Sequence, residues 1–331
     1  MESNVVTLST FAATDSAAGP DLRAQLRELI AATERLPADR RYTQARIARE
    51  SGISTTTLSQ WLGGTYAGDN DAVEAKLRRW VDGVHAQRAQ AEMMPAAPDY
   101  VATSSAERVI AALRYAQAAQ DIAVIYGGAG LGKTTALHRY QASMPNVWVA
   151  TMTPASASVV TALEEIADAV GAGAASGGAA KLHRAICRKI HGTVGLLAID
   201  EAQHLSVAAL DQIRSLHDAT GIGIALVGNE AVYARMTGGN RAAYLDRLYS
   251  RIGRKVRLTR ATAEDVRVIL DAWGVRETEC RAHLVDIASK PGALRGLTKV
   301  LRLAAMYAAA ESRPLCCDDV RAAWRELGGA E

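Results

Sequence analysis

Two rhythms of apolar and polar positions divide this chain. From Asp21 the apolar residues fall at helical spacing, with Leu22, Leu26, Leu29 and Ile30 on one face, and an amphipathic stretch from Asp71 to Val84 repeats the pattern. Further on the rhythm changes to short unbroken apolar runs, Ile122–Tyr126, Val147–Thr151, Gly195–Ile199 and Ile222–Val227, with Arg254–Leu258 as a fifth. Runs of that length and β-branching predict strands buried on both faces. Helical spans lie ahead of the first run at Ala106–Gln117 and between later ones at Thr135–Ala142, Val159–Val170, Lys181–His191 and Ala243–Ile252, so strand and helix alternate as they do around a parallel sheet. After Thr262 the strand pattern stops and four helices are expected, Ala263–Trp273, Glu279–Ser289, Ala293–Ala309 and Asp318–Leu327. The expected class is α/β: a parallel five-stranded sheet with a C-terminal helical lid, preceded by a small all-α domain.

Punctuation in the sequence sets the borders. Residues 1–20 are small, polar and rich in Ser, Thr and Ala, and are expected as a disordered arm. Residues 21–92 form the first domain, 93–105 (with Pro95 and Pro98) the linker, 106–260 the α/β domain and 261–331 the lid. Gly171–Gly178 and Met236–Arg241 read as loops. Within the first domain, Ala48, Gly52, Ile53, Leu58 and Trp61 fall where a helix-turn-helix needs its small residue, its turn glycine and its core contacts. Ser54 would cap the second helix and leave Thr55, Thr56, Thr57, Ser59 and Gln60 facing outward. That helix carries no Lys or Arg; Arg40, Arg41, Arg46 and Arg49 stand just upstream and could hold a phosphate backbone. Two readings stay open, DNA contact through Thr55, Thr56 and Gln60, or a helical module that binds protein.

Charge narrows the field only a little. Lys and Arg number 38 against 35 Asp and Glu, a net +3 that permits a polyanionic partner without demanding one. The basic residues Lys181, Arg184, Arg188 and Lys189 gather on one side of a helix, which serves equally as a solvated face or as a groove for nucleic-acid backbone through Arg184, Arg188 and Lys189. No apolar run approaches a membrane span, and the first residues lack a basic start before an apolar core, so a cytoplasmic protein without a membrane partner is expected. Cys187, Cys280, Cys316 and Cys317 form no C-x-x-C pair and read as thiols of a reducing compartment.

Chemistry enters at the first strand. It runs directly into Gly127-Gly128-Ala129-Gly130-Leu131-Gly132-Lys133-Thr134, which satisfies G-x-x-x-x-G-K-[ST] at every fixed position. Glycine lets backbone N–H groups turn inward around phosphate oxygens; Lys133 supplies a point charge for the β- and γ-phosphates, and the Thr134 hydroxyl can ligate Mg²⁺. The helix beginning at Thr135 adds its N-terminal dipole. A nucleoside triphosphate is therefore the expected ligand. The third strand ends in Asp200-Glu201, at the end where α/β sheets place their sites. There Asp200 can hold the Mg²⁺ shell and Glu201 can orient and deprotonate an attacking water. Asn229, at the end of the next strand, would sit beside the γ-phosphate.

These motifs, together with a late pair of arginines and a helical lid bearing Gly292-Ala293-Leu294-Arg295, resemble the AAA+ ATPases. The resemblance extends through Tyr66-x-Gly68-Asp69-Asn70, Asn146-Val147-Trp148, Thr153-Pro154, Met236-Thr237-Gly238-Gly239-Asn240-Arg241, Ser250-Arg251-Ile252 and Lys290-Pro291 to the family of the phage Mu transposition protein B, and more distantly the chain is similar to the TnsC and TniB regulators. It implies ATP and Mg²⁺ as cofactors, Asn229 and Arg295 as sensors of the nucleotide, and Arg251, or else Arg247, as the finger that reaches a neighbouring subunit's γ-phosphate. It also implies head-to-tail filaments on double-stranded DNA with little sequence preference, and recruitment of a DDE transposase. Gln203 stands where that family carries an acidic residue, which leaves any tuning there open. A replication initiator or helicase loader, or a helix-turn-helix transcription regulator with an ATP-sensing domain, are the alternatives. The second would footprint one fixed operator, whereas the first reading requires coating of any duplex.

Overall fold

The computed structural model describes residues 21–35, 41–93, 97–173, 177–237 and 250–328. Its two compact units divide between Met93 and Met94. The arm of residues 1–20 lies outside the described residues, as do Arg40 and Arg247.

The first unit is four helices: α1 (Leu22–Thr33), α2 (Gln44–Ser51), α3 (Thr55–Leu62) and α4 (Asn70–Met93). Asp21, Thr43 and Ser54 each accept a backbone N–H at the start of the helix they precede, which fixes where α1, α2 and α3 begin. Gly52 takes a left-handed φ of 70° and turns the chain from α2 into α3. Leu26, Ile47, Leu58, Trp61 and Leu77 close one apolar core between the helices. Helix α4 runs on past Val84 to Met93, so the predicted end of the amphipathic stretch fell short. Thr55, Thr56 and Gln60 are exposed on α3. Arg46 is committed within the unit: its Nε donates to Glu50 at 2.8 Å and its guanidinium lies over the Tyr42 ring. Burial alone would raise the Glu50 carboxyl, but hydrogen bonds from Arg46 and Trp80 hold it below its ordinary value.

The second unit opens with α5 (Ser104–Ala119), which starts two residues ahead of the predicted Ala106 and is capped by Thr103, and then alternates. β1 (Ile122–Gly127), α6 (Lys133–Ser143), β2 (Val147–Thr151), α7 (Val159–Val170), α8 (Ala179–Ile190), β3 (Leu196–Asp200), α9 (Val207–Thr220), β4 (Gly223–Gly228), α10 (Glu230–Thr237) and β5 (Ile252–Leu258) follow in turn. Helices α9 and α10 were not expected, although Leu210, Ile213 and Leu216 of α9 are buried at helical spacing. Met236 and Thr237 belong to α10 rather than to a loop. The helix predicted to reach Ile252 does not do so, because Ile252 opens β5 and Ser250 and Arg251 lie in the turn before it. The remainder of that span, residues 238–249, is outside the described residues.

The five strands are all parallel, in the order β2-β3-β4-β1-β5. Side chains of β1 alternate between two cores. Ile122, Val124 and Tyr126 pack with α7, α8 and α9, while Ala123 and Ile125 pack with α5 and α6. A sheet covered on both faces must be apolar on both, which is why its strands read as continuous apolar runs. The lid, α11 (Ala263–Ala272), α12 (Thr278–Ser289), α13 (Ala293–Ala310) and α14 (Cys317–Glu326), has its own core around Leu270, Leu284, Leu297 and Leu301. It belongs to the same compact unit as the sheet. At its root Asp265, fully buried, accepts hydrogen bonds from Ser104, Ser105 and Thr262, which fastens α11 to the start of α5.

Candidate nucleotide site

Parallel strands deliver their C-terminal ends to one side of the sheet, and the register decides which residues meet there. Tyr126 of β1 pairs with Gly228 of β4, and Thr151 of β2 with Asp200 of β3, so the glycine-rich loop, the paired carboxylates and Asn229 share one rim. Gly127 closes β1 at a φ of 144°, and an added Cβ there would lie 1.8 Å from the Leu258 carbonyl oxygen, so only glycine fits beside β5. The loop from Gly128 to Gly132 carries Ala129 and Thr135 exposed on either flank, while Leu131 points into the core beneath. Helix α6 begins at Lys133 with Gly132 as its N-cap and no side-chain cap bond, so its first N–H groups face the rim uncapped by any side chain.

Lys133 Nζ donates to the carbonyl oxygens of Gly127 at 2.9 Å and Gly128 at 2.6 Å. Burial holds its ammonium below the ordinary lysine value, against the opposing pull of Glu201 and Asp200; Arg295 adds to the lowering. The Thr134 hydroxyl donates to Asp200 Oδ2 at 2.8 Å. Asp200 is 2% exposed and also accepts the Glu201 N–H on Oδ1 at 2.9 Å. These are hard oxygen donors side by side, a set that fits Mg²⁺. Among the described residues no group of three or more His, Cys, Asp and Glu gathers as a metal site, at this rim or elsewhere, so the rest of a Mg²⁺ shell here would come from phosphate and water oxygens.

Glu201 lies just past β3 with a left-handed φ of 52°, a backbone state that costs a non-glycine residue on the order of 1 kcal/mol. Its carboxylate accepts a hydrogen bond from the Gln203 side-chain amide. The Gln203 carbonyl oxygen in turn accepts the Asn229 N–H at 3.2 Å, and the Asn229 side chain caps the next turn through Ala231 N–H at 2.8 Å. Arg295, exposed in the first turn of α13, reaches the loop through its backbone: its N–H donates to Gly130 O at 3.3 Å. Gly130, at a φ of 76°, has the Gly292 oxygen where a Cβ would go, only 2.0 Å away. The lid therefore rests directly on the phosphate loop.

Not every expected residue joins this rim. Arg251 precedes β5, whose Ile252 pairs with Ile122 at the opposite end of β1 from the loop. Its Nε donates to Asp218 at 2.6 Å. Asp218 also receives Arg214, which is held charged by Asp211 and Asp218. Arg184, Arg188 and Lys189 stand exposed on α8, far along the chain from the loop and outside the rim. Sequence reasoning overlooked the bridging role of Gln203, the anchor at Asp265 and the Arg251–Asp218 pair. The first had a usable signal, a long amide two residues past the Asp200-Glu201 pair. The others join residues too distant in sequence to be paired by inspection.

Comparison with known proteins gives concordant likenesses. Residues 250–327 match the family model described as Mu B transposition protein, C terminal, and residues 116–236 match an AAA domain. The chain is 40% identical over 307 residues to the ATP-dependent target DNA activator B of Escherichia phage Mu, covering 93% of this chain and 95% of that one. It is 36% identical to the DNA transposition protein B of a Mu-like prophage of Haemophilus influenzae, covering 79% of this chain and 91% of the relative. Among solved structures, a Walker-type ATPase of Pyrococcus abyssi is similar in fold, with a TM-score of 0.50 at 12% identity over 67% of this chain and 71% of its own.

Proposed function

The chain belongs to the Mu B family of transposition proteins and is an AAA-type ATPase, and from that premise we propose that it polymerises head to tail on duplex DNA when ATP is bound, and there captures target DNA for a transposase. Lys133 and the loop amides bind the phosphates. Thr134 and Asp200 would hold Mg²⁺, which would supply neutralisation of the phosphate charge. Glu201 takes the proton of the attacking water, and Asn229 and Arg295 contact the γ-phosphate end.

The observation that carries this reading is the position of Arg251. Six residues of β1 separate its end of the sheet from the loop, about 16 Å at roughly 3.3 Å per step. An arginine there is out of reach of its own phosphate, and a role at a neighbouring copy's phosphate, released from Asp218, fits its place. Opposite surfaces of one chain then meet across a nucleotide, a heterologous contact that propagates as a helix. Hydrolysis and assembly become one event. Duplex DNA without sequence preference suits a surface that offers arginines and lysine on α8 rather than base-reading side chains, and such binding weakens steeply with salt.

Electron microscopy with ATP, random-sequence duplex and cognate transposase tests the proposal directly. Filaments with stimulated strand transfer are expected. A protein that stays monomeric with nucleotide and DNA, or that hydrolyses ATP equally well at concentrations too low for self-association, would overturn it. Arg188→Ala on the exposed face of α8 should weaken duplex binding several-fold and lower the salt slope by about 1; an unchanged slope removes α8 from the DNA interface.

A further inference from the structure

Resting on the reading of Glu201 as the base, we propose that Gln203 is a positioning residue that sets the Glu201 carboxylate and ties it to the end of β4, so that base and Asn229 move together. The side chain spans the two strand ends. A backbone N–H can only donate, so the Gln203 oxygen must face Asn229, where it lies 3.2 Å from the nitrogen. That orientation leaves the amide NH₂ to face Glu201 Oε2, which it contacts. Both ends of one amide are thereby satisfied in a single geometry.

The surroundings are built for this bridge. A Cβ on Gly228 would lie 2.3 Å from the Gln203 oxygen and 2.5 Å from Val232 Cγ2, so glycine at the end of β4 keeps the amide's place open. On the other side, the left-handed backbone of Glu201 and its N–H bond to Asp200 fix the residue's main chain but not its side-chain torsions. Gln203 supplies that missing constraint. It sits in a one-turn 3-10 helix, Ala202–His204, anchored by the His204 N–H on the Glu201 carbonyl at 3.0 Å. A contact made by Asn229 to a bound γ-phosphate would therefore be felt at the carboxylate through one hydrogen-bonded side chain.

The test is a kinetic cycle on the full chain with DNA present. Gln203→Met keeps the length and removes both hydrogen bonds; it should lower kcat about tenfold while KM for ATP and the binding of a fluorescent ATP analogue stay within about twofold. Gly228→Ala, which displaces the amide without removing it, should lower kcat in the same direction. In a Glu201→Gln background, the residual single-turnover rate should not fall further on adding Gln203→Met, because the residue acts only through the carboxylate. If Glu201→Gln is inactive but Gln203→Met turns over at the normal rate, the role of Gln203 is overturned and the base assignment stands. If the two losses multiply, Gln203 does not act through Glu201 and the proposal falls. If Glu201→Gln keeps its kcat, the base assignment fails and this proposal with it.

Discussion

Two buried aspartates in this unit, one at the nucleotide rim and one at the root of the lid, were solved differently by the fold. Asp265 is 0% exposed, and each of its oxygens accepts two donors: the Ser104 hydroxyl and the Ser105 N–H on Oδ1, the Ser105 hydroxyl and the Thr262 N–H on Oδ2. Asp200 is 2% exposed, and among the described residues each of its oxygens has one donor, Thr134 on Oδ2 and the Glu201 N–H on Oδ1. A carboxylate has about four lone-pair sites. The saturated one is a joint, with no capacity left for chemistry. The half-satisfied one keeps acceptor capacity beside the uncapped start of α6, which is the condition for taking part in a reaction. Burial alone does not tell a functional carboxylate from a structural one; the donor count does.

That contrast can be broken from either side. Asp200→Asn should lower kcat by about 10²–10³-fold with little change in melting temperature, since it removes the charge proposed to hold Mg²⁺ and few structural bonds; a fall in stability comparable to that of an Asp265 variant would erase the distinction. Lys133→Ala should weaken ATP binding on the order of 100-fold, measured by titration with a fluorescent analogue, and abolish ATP-dependent DNA coating. Retained coating would detach the loop from assembly. On the other side, Asp265→Asn places an amide among four donors. It should destabilise the unit by about 3 kcal/mol in chemical denaturation and leave kcat at 25 °C within about twofold.

The smallest effect sharpens the comparison through pH. Burial alone would raise the Asp265 carboxyl, but the hydrogen bonds from Ser105 and Thr262 hold it below its ordinary value. A depressed native value means that its contribution is complete above about pH 4 and drains away as pH falls through the native value. Asp319, held at about 2 by its pair with Arg313, does the same at the far end of the lid. Acid unfolding of the lid should therefore set in below about pH 4, and Asp265→Asn should flatten part of that slope. An identical slope in wild type and variant would deny Asp265 its role as the joint.

Much of this is legible in the amino-acid sequence. The strands at Ile122, Val147, Leu196 and Gly223 announced themselves because a parallel sheet covered on both faces demands continuous apolar runs. The loop from Gly127 to Thr134 was legible because a close approach of backbone to phosphate admits few residues at fixed spacing. Helix α9 escaped because Ala, Asp and Gln dilute its apolar face, although the period is regular once seen. The long α4 was underestimated because Ala86–Met93 mixes alanines with polar residues, so no face of large apolar residues marks it, although no breaker interrupts it.

What the linear chain determined was local: which segments are strands, where helices start, and which residues carry charge or hydroxyl groups suited to a triphosphate. What only the tertiary structure decided was adjacency, because the order β2-β3-β4-β1-β5 and its register bring together residues that the sequence separates. By that route Thr134 meets Asp200, Asp265 meets Ser105, Gln203 links two strand ends, and Arg251 is turned away from its own loop. Spacing along a chain encodes the period of one element; the meeting of two elements depends on the packing of all the others between them.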